Sequence, residues 1–138
     1  MNTKWIAYWL TTAIIGFETV AGGLTDLFHG RVALVSGPYA VEIITHLGYP
    51  SYLLTILGVW KVLGGMVLFV PGLPRIKEWA YAGIVFELTG AAASWTLHGD
   101  SAVDLISPLV LTAFALASWA LRPSSRTVRS FRPSASPL

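Results

Sequence analysis

The most restrictive feature of this chain is a lysine in a stretch that leaves it nowhere to be solvated. Tyr49 to Pro74 reads YPSYLLTILGVWKVLGGMVLFVPGLP, with Lys61 close to its middle. Leu53 to Val70, with its tyrosine-rich entrance, is long enough to span a bilayer, which takes about 20 mostly apolar residues. A lysine at that depth costs about 2.5–3.5 kcal/mol on insertion scales. It therefore needs a partner, and the rest of the chain is read for one.

Composition sets the class. Of the 138 residues, 54% are hydrophobic and 12% charged, and mean hydropathy is +0.65. Soluble domains carry about 25% charged residues, so this chain reads as an integral membrane protein of one small helical unit. The absence of cysteine excludes disulfides, thiolate metal ligands and cysteine nucleophiles.

Four apolar segments follow one another: Trp5 to Phe28, Tyr52 to Val70, Trp79 to Leu97 and Val103 to Leu121. Their length and order predict an all-α, four-transmembrane-helix bundle over residues 1–122. The Ser-, Pro- and Arg-rich residues 123–138 read as a flexible basic tail. Lys4 and Thr19-Val20-Ala21 loosely fit a cleaved leader, but Glu18 inside its core argues for a retained first span. In the first link, Pro38 and the apolar Tyr39, Val41, Ile43, Ile44 and Leu47 predict a short interfacial helix. VPGLPR is a helix stop, because Pro71 and Pro74 cannot continue a regular helix and Gly72 allows a tight turn. Pro108 either follows a cap at Ser107 or kinks the fourth helix.

Basic residues set the expected orientation. Lys4, Arg75, Lys77, Arg122, Arg126, Arg129 and Arg132 gather on the side of both termini, which the positive-inside rule makes cytoplasmic. The tail is expected to meet anionic lipid rather than nucleic acid. The outer side carries Asp26, His29, Glu42, His46, His98, Asp100 and Asp104.

Depth then suggests partners for Lys61. Glu18, Lys61 and Glu87 lie about 20, 14 and 12 Å from the cytoplasmic ends of their segments at 1.5 Å per residue. Glu18, Gly22 and Asp26 share one stripe of the first helix, and Gly83, Glu87, Gly90, Ser94 and His98 one of the third. Gly58, Lys61, Gly64 and Gly65 share a side of the second. The expectation is a buried Glu18–Lys61–Glu87 cluster, read either as a register-fixing ion pair or as an acid–base site. Two carboxylates against one ammonium would leave one carboxylate holding a proton for a lipophilic substrate or a quinone. Trp60, Phe86 and Trp95 are candidate walls of an apolar pocket beside it. At the outer mouth, Asp26, His29, His46, His98, Asp100 and Asp104 could together bind a divalent metal through imidazole and carboxylate, but their spacing matches no metal motif and they read rather as a solvated acidic mouth without metal. No phosphate-cradling glycine loop, nucleophile elbow or HExxH sequence is present.

The run HLGYPSYLLTILGVWKVLGGMVLFVPGLPRIKEWAYAG, His46 to Gly83, closely resembles small DoxX-like membrane proteins. ELTGAAASWTLHGD, Glu87 to Asp100, and PLVLTAFALASWALRP, Pro108 to Pro123, continue the likeness. The resemblance implies a four-helix membrane protein, with Lys61, His98 and Asp100 on positions that match the family pattern. Glu18 and Glu87 are less typical of it. It also implies a small subunit or accessory component of a quinone-linked redox system in the cytoplasmic membrane, beside a soluble oxidoreductase. The alternatives are a stand-alone cyclase or isomerase using buried carboxylates, and a non-catalytic assembly factor. Ala113 and Ala117 offer small lipid-facing positions for a homodimer.

Overall fold

The computed structural model describes residues 2–31 and 40–128. The helices are α1 (Thr3–Leu27), α2 (Ala40–His46), α3 (Tyr52–Phe69), α4 (Pro74–His98) and α5 (Ile106–Leu121), followed by a 3-10 turn at Ser124–Arg126. There is no strand among the described residues. The four long helices form a closed antiparallel ring in which α1 packs on α3 and α5, and α4 completes the circuit against both. The short helix foreseen in the first link is α2. Pro38, Tyr39, Arg129 and Arg132 lie outside the described residues.

Local sequence explains each boundary. Asn2 caps α1 by accepting from the Lys4 N–H at 3.2 Å. Gly72 and Leu73 adopt positive φ, +73° and +52°, and Pro74 then opens α4 at its first turn. Neither reading of Pro108 holds. α5 starts at Ile106, so Pro108 falls in the first turn, where a missing N–H leaves no helical bond unmade.

The tightest contact is α1 against α3, and glycine makes it. Gly58 and Gly65 lie two turns apart on one face of α3. A Cβ at Gly58 would come within 2.8 Å of the Gly23 carbonyl oxygen and of the Leu27 nitrogen. One at Gly65 would lie 3.1 Å from the Val20 nitrogen. The backbones thus touch where side chains would hold them apart. Gly64, Gly83 and Gly90 meet nothing within 4 Å, so small residues on those faces leave space rather than fill an interface.

Ile15, Leu68, Tyr81, Ile84, Leu88 and Ala115 form the apolar core. Beside it, the Ser118 hydroxyl is hydrogen-bonded to Thr12 and to Tyr81, both at 2.7 Å, joining α1, α4 and α5. Large apolar residues also cover the outside, among them Phe17, Trp60, Trp79, Phe86 and Leu97. α3 is the one helix among the described residues long and apolar enough by itself to cross a bilayer, and only 22% of its span is buried. A core helix of a soluble protein would be mostly buried. α5 is apolar but has 16 residues. α1 and α4 have 25 residues each but carry Glu18 and Asp26, and Glu87, within them.

The end where α3 gives way to α4 is held by basic side chains. Helix α3 leaves its last carbonyls without intrahelical donors. Buried Lys77 donates to the Val67 and Val70 carbonyls. Arg126 donates to the Leu68 carbonyl at 3.0 Å and lies over the Trp9 ring at 4.7 Å. Arg122 donates to Glu78 Oε1 at 2.7 Å. The first residues of the tail are therefore docked on the bundle.

The α1–α3 contact is directly testable. Gly58→Ala forces two backbones apart and is expected to cost about 1–3 kcal/mol, read as a lower Tm in detergent. Gly90→Ala, which meets nothing, should leave Tm unchanged or raised. Equal Tm values for the two variants would remove close backbone approach as the basis of the packing.

Candidate functional site

Lys61 crosses α1 at Gly22 and Gly23. A Cβ at Gly23 would lie 2.7 Å from the Lys61 Cβ, and one at Gly22 would lie 3.2 Å from its Nζ. Only glycine leaves room there for a lysine stem to lie against helix backbone. The ammonium reaches Asp26 Oδ2 at 3.0 Å and Glu87 Oε1 at 3.1 Å. Three helices thus meet in one ion-paired cluster, and Asp26 is only 6% exposed.

This corrects two expectations. Among the described residues Glu18 makes no ion pair with Lys61. Its Oε1 would lie 3.5 Å from a Cβ at Gly22, so it borders the cluster without closing it. Asp26, expected at the outer mouth, takes the place assigned to Glu18. The Lys61 ammonium lies beside Gly22 and reaches Asp26, one turn further along α1. The signal was available in the Glu18–Gly22–Asp26 stripe, but Asp26 was grouped with the acids of the outer side. Glu87 pairs as expected.

Two clefts flank the cluster. The first, about 620 Å³, is lined by Trp60, Trp79 and Phe86 with Gly64 and Gly83 in its wall. The second, about 580 Å³, runs under α2 and includes Glu18, Asp26, Trp95 and Asp104. Lys61, Glu87, Leu57 and Phe86 line both. One apolar pocket was expected around Trp60, Phe86 and Trp95. The structure divides them, with Trp60 in the first cleft, Trp95 in the second and Phe86 between.

A polar group lies beside the second cleft, where His46 packs on the Trp95 of its wall. His46 Nε2 lies 2.9 Å from Asp100 Oδ1, and His98 Nδ1 lies 2.8 Å from Asp100 Oδ2. Tyr49 and Ser94 share a hydrogen bond of 2.8 Å, a pair that the sequence did not suggest. Asp104 is exposed and stands on the rim. The hydrogen bond from His46, with that from His98, holds the Asp100 carboxyl below its ordinary range. A depressed carboxyl contributes stability above its unfolded-state value and loses it as pH falls through the folded-state value. The link through Asp100 therefore holds at neutral pH and gives way only in acid.

An all-helical bundle with an apolar exterior and a charge cluster inside defines a membrane-type protein. A sequence model of the DoxX-like family matches residues 10–118. The chain belongs to the DoxX-like family. No curated protein and no solved structure matches it.

Removing the ammonium should expose the pairing. Lys61→Met leaves buried Asp26 and half-buried Glu87 without their cation, and is expected to cost about 3–5 kcal/mol, seen as lower folded yield and Tm. Adding Asp26→Asn and Glu87→Gln should restore most of the loss, whereas adding Glu18→Gln should restore little. Rescue by Glu18→Gln alone would reverse this assignment.

Proposed function

We propose that this DoxX-like protein is a four-span component of the cytoplasmic membrane, both termini cytoplasmic, that binds a lipophilic quinone-type ligand for a membrane redox system. The observation that carries the reading is the position of Lys61 and Glu87 in the walls of both apolar clefts. A ligand in either cleft has an apolar bed of suitable volume and meets an ammonium donor and a carboxylate at one end. Polar groups few in number and fixed in place are what orient such a ligand.

The four-span arrangement draws support from the apolar exterior of α1, α4 and α5 as well as α3. The segregation of Lys77, Arg122 and Arg126 from His46, His98 and Asp100 supports the orientation. Reduction of a quinone to a quinol takes two electrons and two protons. A soluble oxidoreductase partner would deliver the electrons. The charge cluster would exchange protons: Glu18, Asp26 and Glu87 stand near a single ammonium, so that carboxylates outnumber the cation. Asp26, Lys61 and Glu87 are the residues assigned to that role, with Glu18 bordering them.

Binding is testable without touching the charges. Full-length protein in nanodiscs is titrated with a short-chain ubiquinone analogue, and tryptophan quenching is followed. Saturable quenching is expected, and Gly83→Leu, which fills the first cleft, should weaken it at least tenfold with little change in Tm. Quenching that rises linearly and is the same in both proteins would mean membrane partition alone, and the reading would be abandoned. Turnover of a lipophilic substrate by the purified chain would favour the stand-alone enzyme instead.

A further inference from the structure

The outer end holds a cluster that the buried lysine and the clefts do not account for. One ligand atom each from His46, His98 and Asp100 lies within 4.8 Å of the other two. The imidazole rings of His46 and His98 have centroids 4.4 Å apart, tilted by 53°. His46 is the last residue of α2 and His98 the last of α4. Asp100 follows Gly99, whose φ of +89° ends α4. Its position is fixed by backbone bonds, from the Gly99 N–H to the Thr96 carbonyl and from the Asp100 N–H to the Trp95 carbonyl, both at 3.2 Å. This is a glycine-closed helix end, and it turns the Asp100 carboxylate back towards His98.

We infer that His46, His98 and Asp100 form a divalent-metal site of the zinc type, which fastens α2 across the mouth of the second cleft. Two imidazoles and one carboxylate suit zinc or a neighbouring late first-row ion, and two nitrogen donors disfavour magnesium and calcium. Ligand bonds of 2.0–2.2 Å in a tetrahedron place ligand atoms about 3.3 Å apart. His46 Nε2 lies 2.9 Å from Asp100 Oδ1 and His98 Nδ1 lies 2.8 Å from Asp100 Oδ2, and one ligand atom from each residue falls within 4.8 Å of the others, so side-chain adjustment of about an ångström or more brings three donors to that spacing. The side chains of His46, His98 and Asp100 are 49%, 39% and 19% exposed, so an ion has a path in. Three protein ligands leave the fourth position for water.

The consequence for the fold follows from where the ligands sit. α2 supplies Ala40, Ile43 and Ile44 to the wall of the second cleft. Two ligands belong to the end of α4 and one to α2, so a bound ion ties the two helices together. The metal would then set how readily the second cleft opens.

The test uses full-length protein in nanodiscs, stripped with chelator and titrated with Co²⁺ and then Zn²⁺. One ion per chain is expected, with the visible absorption of tetrahedral cobalt, displaced by zinc. His46→Gln, His98→Gln and Asp100→Asn, each on its own, should weaken binding at least tenfold, with circular dichroism verifying that each variant is folded. The chain has no cysteine, so Ala40→Cys gives a single thiol on α2, and zinc should slow its labelling only when all three ligands are intact. Affinity unchanged in all three variants, or no stoichiometric binding by the unsubstituted chain, would overturn the site. Binding that leaves thiol labelling unchanged would overturn the fastening of α2.

Discussion

The bundle depends on one ammonium held between two carboxylates inside an apolar ring. Lys61 meets Asp26 at 3.0 Å and Glu87 at 3.1 Å. Each charge alone would be costly in so apolar a setting, and the pairing offsets that cost. The pairing in turn needs α1 and α3 close enough for a lysine stem to lie across Gly22 and Gly23. Glycine at those positions, and at Gly58 and Gly65, is the steric condition for the electrostatic one. Helix packing and ion pairing are therefore a single constraint.

The two ends of the bundle use polar residues differently. At one end, Lys77 and Arg126 satisfy the carbonyls that α3 leaves open before Gly72 and Pro74 turn the chain. Cations at a helix C-terminus also complement its dipole. Basic residues that read as topology markers are thus structural caps as well. At the other end, His46, His98 and Asp100 are bound chiefly to one another and remain accessible. Between the ends, Gly64 and Gly83 leave the first cleft unfilled and Gly90 borders the second. Function is therefore sought at the charge cluster and the open rim.

Much of the fold was legible in the chain. The four long helices overlap the apolar segments, because segment length is a local property, but α4 begins at Pro74 rather than Trp79, since Pro74 opens the helix in its first turn. Lys61 and Glu87 were legible as a pair, since an intramembrane charge demands an opposite one. The outer cluster was legible as a pool of possible ligands but not as a set of three, because His46 and His98 are far apart in sequence and become neighbours only when α2 folds back to α4.

The sequence by itself determined the class, the helices and the requirement that Lys61 be neutralised. Composition and local chain geometry decide these without reference to neighbours. Only the tertiary structure decided that Asp26, rather than Glu18, joins Glu87 in meeting that requirement. The choice turns on how α3 crosses α1 at Gly22 and Gly23, which sets the acid of the first helix that the ammonium reaches.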